Sequence, residues 1–228
     1  VTAAAARGFS VYSGVPCSYL TPFINYTIGS DQLRYVAAAN EGDAVAIAAG
    51  AELGGSGGVA MFQNSGLGNA VNPLTSLTWT FRIPILLIVT WRGEPGGHAD
   101  EPQHELMGQI TPRMLELMNI PWALFPDSEA AIAPTLRAAV ASMQKTQRPY
   151  ALVMRKGSVA DSALGGALRE PAPLKVASVS RRPAGVRRQA MLAAIRSADS
   201  GHDVLVATTG YMGRELYATE ATFRATLD

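Results

Sequence analysis

Acidic, amide and imidazole side chains follow short apolar runs at two places in this sequence. Glu41 comes shortly after one run and opens an alanine-rich stretch. A loop after another run holds Asp100, Gln103 and His104. A carboxyl or imidazole group at the edge of a folded sheet can exchange protons with a bound molecule, and an amide can orient that molecule by hydrogen bonds. Glu41, Asp100 and His104 are therefore candidate catalytic residues.

Each of these residues also has a purely structural explanation. Glu41 and Asp43 would suit the first turn of a helix, where the helix dipole favours negative charge by about 0.3 to 1 kcal/mol. A single histidine in a loop is commonly a solvated surface residue. The clustering of two acids, an amide and an imidazole within residues 100–104 favours a site over these alternatives.

The elements that must position these residues follow an α/β pattern. Short β-branched runs alternate with segments of helical period, which is typical of a parallel sheet buried on both faces. We predict strands at 9–13, 33–37, 59–63, 85–90, 123–125 and 150–154, and helices at 16–28, 41–53, 69–78, 105–118 and 128–144. The expected fold is an α/β domain over residues 1–156, a parallel six-stranded sheet with helices on both faces. Loops after parallel strands meet at one edge, so the candidate residues should lie together.

A second α/β unit is expected to begin after a linker. Residues 157–183 are rich in Gly, Ala, Pro and Ser and have no sustained period, which is typical of an inter-domain linker. In 184–228 we predict a helix at 187–198, a strand at 203–208 and a helix from about Gly213. One strand cannot form a sheet, so we expect this unit to be truncated.

Composition excludes several classes of protein. The 228 residues carry a formal net charge of +1, are 48% hydrophobic and 16% charged, and so give no basic field for nucleic acid. The longest apolar run, 83–91, is too short to span a bilayer. The single cysteine, Cys17, cannot form an intrachain disulfide and is interpreted as a small buried core residue. We expect a soluble, cytoplasmic protein.

Three motifs add a resemblance to these inferences. They are Gly14-Val15-Pro16, Asn40-Glu41-Gly42-Asp43-Ala44 and Ser65-Gly66-Leu67-Gly68-Asn69. In this order and spacing they resemble the pyrimidine-binding half of thiamine-diphosphate enzymes. The longer strings at 63–73, 91–96 and 100–104 look like the phosphonopyruvate and sulfopyruvate decarboxylases of that family.

The resemblance implies a cofactor, a reaction and roles for residues. In the family, thiamine diphosphate binds with Mg²⁺, and a glutamate at the position of Glu41 hydrogen-bonds N1′ of its aminopyrimidine. The implied reaction is decarboxylation of phosphonopyruvate to phosphonoacetaldehyde and CO₂, as in biosynthesis of phosphonate antibiotics. The implied cofactor-binding residues are Gly14, Val15, Pro16, Glu41, Asn64 and Gly66. The implied substrate-binding residues are Ser18, Asn64, Ser65, Arg92, Gln103 and His104.

Alternatives stay open within and outside that family. Phosphonate and sulfonate are both tetrahedral anions, so sulfopyruvate is an equally suitable small anionic 2-oxo acid substrate. Arg92, Arg155 and Lys156 are candidates to bind the anion, although Arg92 could instead pair with Glu94. A non-catalytic α/β nucleotide-binding subunit is the alternative from another class.

Departures from the family pattern limit what the resemblance implies. Cys17-Ser18 stands where the pyruvate branch has Gly-Asp, and Leu67 stands where typical relatives have proline. The Gly-Asp-Gly…Asn motif that holds Mg²⁺ is absent, so no metal ligand is expected in this chain and the magnesium ligands should belong to the missing part of the second domain. Because family sites lie between two subunits, a homo-oligomer, a dimer or larger, is implied.

Overall fold

The computed structural model describes residues 1–165, 185–198, 200, 204–207 and 210–218. The chain divides into two compact units, Val1–Ala167 and Leu168–Asp228. The boundary between them falls within the stretch 157–183, most of which lies outside the described residues.

The first unit contains a six-stranded sheet in which every neighbouring pair of strands is parallel. The strand order is β2-β1-β3-β4-β6-β5, so the chain moves to opposite sides of β1 when it forms β2 and then β3. The carboxyl ends of β1 and β3 therefore flank the crevice where open parallel sheets bind ligands. The strands are β1 (Phe9–Gly14), β2 (Arg34–Ala37), β3 (Gly57–Gln63), β4 (Leu86–Thr90), β5 (Trp122–Leu124) and β6 (Tyr150–Met154).

Helices cover both faces of this sheet. They are α1 (Thr2–Ala5), α2 (Thr21–Ile28), α3 (Glu41–Leu53), α4 (Leu67–Asn72), α5 (Glu105–Leu117) and α6 (Glu129–Thr146). A π-helical turn, Pro73–Thr78, continues α4. The expected fold class, a parallel six-stranded sheet between helices, is confirmed.

The strands are apolar on both faces because each face forms its own core. Met61, Ile88 and Leu152 pack with residues of α1, α2 and α6 on one side. Alternate residues such as Phe62 and Val89 pack with α3, α4 and α5 on the other. Successive side chains of a strand point to opposite faces, so a parallel sheet covered on both faces requires strands that are apolar at every position.

Small residues let α3 approach the sheet closely. Ala44, Ala48 and Ala49 of α3 are buried, and a Cβ atom at Gly58 of β3 would overlap the backbone of Ala48. The helix that begins with Glu41 is thereby fixed against the central strand.

The observed elements differ from the predicted ones at several ends. The helix predicted from residue 16 begins at Thr21, after a 3-10 turn, Ser18–Leu20, and has Pro22 in its first turn. Pro22 fits the start of a helix as well as Pro16 does, because proline is tolerated where the N–H has no helical partner. The strand predicted at 59–63 starts earlier, at Gly57.

The described part of the second unit contains two helices, α7 (Arg188–Ser197) and α8 (Tyr211–Ala218). Arg188 donates to the Glu215 carboxylate through Nε, at 2.9 Å, and through Nη2. Residues 204–207, the described part of the strand predicted at 203–208, form no regular structure. An apolar run becomes a strand only when a neighbouring strand completes its ladder.

None of the described helices is long and apolar enough to cross a membrane.

We expect Gly58→Ala to lower the free energy of unfolding of the full chain by about 3 kcal/mol, because the added methyl group overpacks the contact with Ala48. Gly50→Ala, in the helix α3 that packs on this strand, is the control, because a Cβ there meets no atom within 4 Å. Alanine should stabilise the helix at that position by about 0.5 to 1 kcal/mol. Urea unfolding of both variants measures the difference, and equal effects would contradict this packing account.

Candidate functional site

Glu41 stands at the first position of α3, at the carboxyl edge of the sheet. Asn40 caps this helix: its Oδ1 accepts the backbone N–H of Asp43 at 3.1 Å, and its Nδ2 donates to the Asp43 carboxylate at 2.8 Å. Asn69 Nδ2 donates to Glu41 Oε2 at 2.7 Å. The cap and the amide together fix the direction of the Glu41 carboxylate, which is only half-buried.

The turn after β3 makes room for that carboxylate. A Cβ atom on Gly66 would overlap the Glu41 carboxyl group. The 3-10 turn, Asn64–Gly66, therefore places bare backbone beside Glu41. Only one of the two Glu41 oxygens has a hydrogen-bond donor among the described residues, so the other can accept from a bound molecule.

Asn64 is hydrogen-bonded within the protein. Its side chain is fully buried: Oδ1 accepts the backbone N–H of Arg92 at 3.2 Å, while Nδ2 donates to the Arg92 carbonyl and to Thr111 Oγ1, both at 2.9 Å. Both amide hydrogens are thus engaged within the protein. Asn64 thus joins the carboxyl ends of β3 and β4 to α5, and its binding of cofactor or substrate stays a prediction.

Asp100 also holds structure together. Arg92 donates to its carboxylate through Nε, at 2.7 Å, and through Nη2, and the backbone N–H groups of Gly93 and Glu101 donate at 3.0 and 2.8 Å. The Arg92 guanidinium, with help from these N–H groups, holds the pKa of the Asp100 carboxyl well below its usual range against the opposing effect of burial. A carboxylate that stays ionised at neutral pH is poorly suited to donate a proton, so this geometry favours a structural role for Asp100, and its catalytic role stays a prediction.

Arg92 is correspondingly committed to Asp100. The pairing raises the pKa of Arg92 above its usual range, and its guanidinium lies 5.1 Å from the centre of the Tyr19 ring. Burial and the nearby Asp100 raise the pKa of Tyr19. The alternative pairing of Arg92 with Glu94 does not occur, because Glu94 accepts from Arg155 Nε at 2.7 Å.

Two glycines lock the Arg92 loop onto α5. Gly93 has a φ of +69°, and a Cβ there would overlap the carbonyl of His104. A Cβ on Gly108 would in turn overlap the carbonyl of Gly93. Trp91 Nε1 adds a hydrogen bond of 2.7 Å to the Gly108 carbonyl. The loop after β4 is therefore held where α5 begins.

His104 lies buried at the start of α5. Its Nε2 is 3.4 Å from Glu101 Oε2, and its Nδ1 has no hydrogen-bond partner among the described residues. Gln103 Nε2 donates to the same Glu101 carboxylate at 2.6 Å, so Gln103 is already engaged. Of the residues predicted in this loop, His104 has a buried ring nitrogen without a hydrogen-bond partner among the described residues.

The cluster of Asp100, Glu101 and His104 brings possible metal-ligand atoms within 4.8 Å of one another. Four donors already occupy the Asp100 carboxylate, however. The cluster is better described as a hydrogen-bonded loop than as a metal centre.

The first motif, Gly14-Val15-Pro16, is mainly part of the sheet. A Cβ on Gly14 would overlap the backbone of Met61, and the Val15 N–H donates to the Met61 carbonyl at 3.2 Å. The Gly14 carbonyl accepts the Ala38 N–H at 3.0 Å. Pro16 is exposed beyond the strand. Gly14 thus permits close packing of β1 and β3, while binding of a ligand by this motif stays a prediction.

Hydroxyl groups complete this edge of the sheet. Ser18 and Ser65 are exposed, whereas Cys17 is only 8% exposed, as expected for a core residue. Gln63 Nε2 donates to Ser65 Oγ at 2.6 Å. Sequence reasoning assigned no role to Gln63 or Tyr19, although Gln63 begins the recognised string 63–73 and Tyr19 adjoins the candidate residue Ser18.

A polar cavity of about 570 Å³ lies beside the Arg92 loop. Its walls include Tyr19, Trp91, His98, Arg155 and Lys156. The carboxylates of Asp100 and Glu94 also line this cavity and are paired with Arg92 and Arg155, so Lys156 and the remaining N–H groups of Arg155 are better placed than Arg92 to meet an anion there.

Comparison with known proteins gives a consistent result. Residues 1–111 match the family model described as thiamine pyrophosphate enzyme, N-terminal TPP binding domain. The chain is 43% identical over 216 residues to a phosphonopyruvate decarboxylase of Streptomyces viridochromogenes, an alignment that covers 93% of this chain and 54% of that protein. It is 34% identical over 117 residues to the sulfopyruvate decarboxylase subunit alpha of Methanococcus maripaludis, covering 50% of this chain and 68% of the subunit.

A solved structure supports the same fold. The benzoylformate decarboxylase from Polynucleobacter necessarius superposes with a TM-score of 0.51 at 18% identity, covering 85% of this chain and 35% of that one. The chain spans 54% of the length of the phosphonopyruvate decarboxylase from S. viridochromogenes, so it corresponds to about half of that protein.

We expect Asp100→Asn to destabilise the chain by about 2 to 4 kcal/mol at pH 7, because it leaves the Arg92 guanidinium without its carboxylate. A carboxyl group whose pKa is lowered on folding stabilises the protein at any pH above its ordinary pKa, near 3.8. This stabilisation is lost as the pH falls from there toward the lowered pKa of the folded state. The difference in free energy of unfolding between the wild type and Asp100→Asn should therefore decrease as the pH falls below about 4. Urea unfolding at pH 7 and pH 3, with the exposed Asp161→Asn as control, measures it, and a constant difference would refute the ionised pair.

Proposed function

Because the chain belongs to the thiamine pyrophosphate enzymes, we propose that it forms the pyrimidine-binding part of a decarboxylase that converts phosphonopyruvate to phosphonoacetaldehyde and CO₂. One observation carries the reaction class, namely the Glu41 carboxylate held beside the bare backbone of Gly66 with one oxygen unused. The choice of substrate rests on the 43% identity to a phosphonopyruvate decarboxylase over 93% of the chain.

The residues around Glu41 fit the cofactor. The Glu41 carboxyl group lies against the backbone of Gly66, in the space that a Cβ there would take, and only one of its two oxygens has a donor among the described residues, so the other can bind a heterocycle N–H. Glu41 would accept a hydrogen bond from the aminopyrimidine N1′ and share its proton. When bound, thiamine diphosphate supplies the electron sink for loss of CO₂, while the protein orients the substrate and moves protons.

The other predicted residues take different roles in this proposal. His104, with its free Nδ1, is the candidate to return a proton to the product carbon. Asp100 and Asn64 position the loop that carries His104. Ser18, Ser65 and the cationic side chains of Arg155 and Lys156 are the candidates to bind the anionic 2-oxo acid.

Sulfopyruvate is the second candidate substrate. The observation that favours it is the 34% identity to a sulfopyruvate decarboxylase subunit alpha, of which this chain covers 68%. The cationic side chains near the cavity suit either tetrahedral anion, since both present oxygens to N–H donors.

We further propose an assembly and a domain arrangement. Residues 1–156 form the pyrimidine-binding domain, 157–183 the linker and 184–228 the start of a diphosphate-binding domain; the division of the chain after Ala167 supports a boundary there. Magnesium and the diphosphate would be held by residues outside this chain's described part, contributed by a second copy in a homo-oligomer. A cytoplasmic location is supported by the single cysteine.

We expect Glu41→Gln to keep the fold and remove most turnover, by a factor of about 100 or more, because an amide cannot share the N1′ proton. The measurement is CO₂ release by the complete protein that carries this chain, with thiamine diphosphate and Mg²⁺. Activity of Glu41→Gln close to that of the wild type would contradict this mechanism.

Gly66→Ala and Gly68→Ala are a matched pair of variants that tests the position of the Glu41 carboxylate. Alanine at position 66 displaces the Glu41 carboxylate, whereas a Cβ on Gly68 meets no atom within 4 Å. Only Gly66→Ala should therefore impair cofactor binding, measured by quenching of tryptophan fluorescence.

The substrate is tested by aldehyde formation from phosphonopyruvate, sulfopyruvate and pyruvate side by side. We expect kcat/KM for phosphonopyruvate to exceed the others by at least about tenfold. Preference for sulfopyruvate would keep the chemistry and replace the substrate, and inactivity with all three would leave the fold and the family without the proposed activity.

A further inference from the structure

A chain of hydrogen bonds connects four side chains at the carboxyl ends of the central strands. Thr90 ends β4 and pairs in register with Gln63, the last residue of β3. Cys17 Sγ lies 3.8 Å from Thr90 Oγ1 and donates to Gln63 Oε1 at 3.4 Å. Gln63 Nε2 then donates to Ser65 Oγ at 2.6 Å. These hydrogen bonds thus lead from the end of β4, through Cys17 in the loop after β1, to the turn after β3.

The amide of Gln63 has a defined direction in the structure. Its carbonyl oxygen accepts from the Cys17 thiol, and its NH₂ group donates to Ser65. Because the Ser65 oxygen accepts this hydrogen bond, the hydroxyl hydrogen of Ser65 is left to donate outward. The Ser65 hydroxyl could otherwise donate or accept toward a ligand, but the direction of these hydrogen bonds makes it a donor.

Burial decreases along the chain toward the site. Thr90 is fully buried, Cys17 is 8% exposed, Gln63 is half-buried and Ser65 is exposed. Buried donors cannot exchange their partners for water, so the inner bonds keep their direction. Ser65 also adjoins Gly66, whose backbone touches Glu41. The fixed donor accordingly faces the same edge as the candidate catalytic carboxylate.

We propose that Gln63 is a positioning residue that holds the Ser65 hydroxyl as a hydrogen-bond donor to an anionic oxygen of the substrate. This inference rests on the proposed function, since it requires a 2-oxo acid bound beside Glu41. Carboxylate and phosphonate oxygens carry no hydrogen at neutral pH and accept only. A Ser65 hydroxyl that donated inward would present lone pairs to the anion and repel it.

The test is a double-mutant cycle on the complete protein with thiamine diphosphate and Mg²⁺. Gln63→Met removes the amide with little change in length or charge, and Ser65→Ala removes the hydroxyl. Each single change should raise KM for phosphonopyruvate about tenfold, the effect expected for one hydrogen bond to a charged group. The double variant should be no worse than Ser65→Ala, with kcat and the Kd of thiamine diphosphate unchanged in all three.

Gln63→Glu gives an independent variant should Gln63→Met fail to fold, as judged by thermal melting. A carboxylate at position 63 cannot donate, so Ser65 must donate inward and KM should rise further than in Gln63→Met. In the Ser65→Ala background, Gln63→Glu should raise KM less, because only the charge effect remains.

Two results would overturn the positioning role while leaving the proposed function intact. One is that the wild type is active and the increases in KM caused by Gln63→Met and Ser65→Ala multiply in the double variant. The other is a loss of cofactor affinity in place of the rise in KM. A wild type inactive on every 2-oxo acid would overturn the proposed function and the positioning role together.

Discussion

The buried amide of Asn64 determines where the loop after β4 can go. It satisfies both the N–H and the carbonyl of Arg92 and also reaches Thr111 on α5. A buried backbone group without a partner costs about 1 to 3 kcal/mol, so this arrangement strongly favours one position of Arg92. The Arg92 side chain then holds Asp100, and the peptide after Asp100 leads directly into the turn with His104. The place of the buried imidazole thus depends on an amide that does not touch it.

Close contact between backbones is the second condition for this site. Gly66 allows the turn after β3 to lie against Glu41, and the Gly93 and Gly108 pair allows the loop after β4 to lie against α5. In each case a side chain would occupy space that another group already fills. Hydrogen bonds give these loops their direction, and the glycines allow the distances at which those bonds form.

Features that depend on near neighbours were predictable from the sequence, whereas those that depend on distant partners were not. The strands and the helix that begins with Glu41 follow from local pattern, and the predicted sheet is confirmed. Asn64 was recognised as important, but its partners Arg92 and Thr111 are 28 and 47 residues away. Its bracing role therefore could not be inferred from type and position. The start of α2 was misplaced because Pro16 and Pro22 both fit the first turn of a helix.

Unused hydrogen-bonding capacity separates the residues that can act on a ligand from those that shape the site. Asp100, with four donors on its carboxylate, has none to spare, although an acid in a conspicuous loop looks catalytic in the sequence. Glu41 keeps one oxygen, His104 keeps Nδ1, and Ser65 keeps its hydroxyl hydrogen. These three groups are respectively an acceptor, a group able to exchange a proton, and a donor. The proposed decarboxylation would need these three capacities from the protein when a cofactor takes up the electrons, so we interpret the remaining polar residues as the frame that keeps these three groups free.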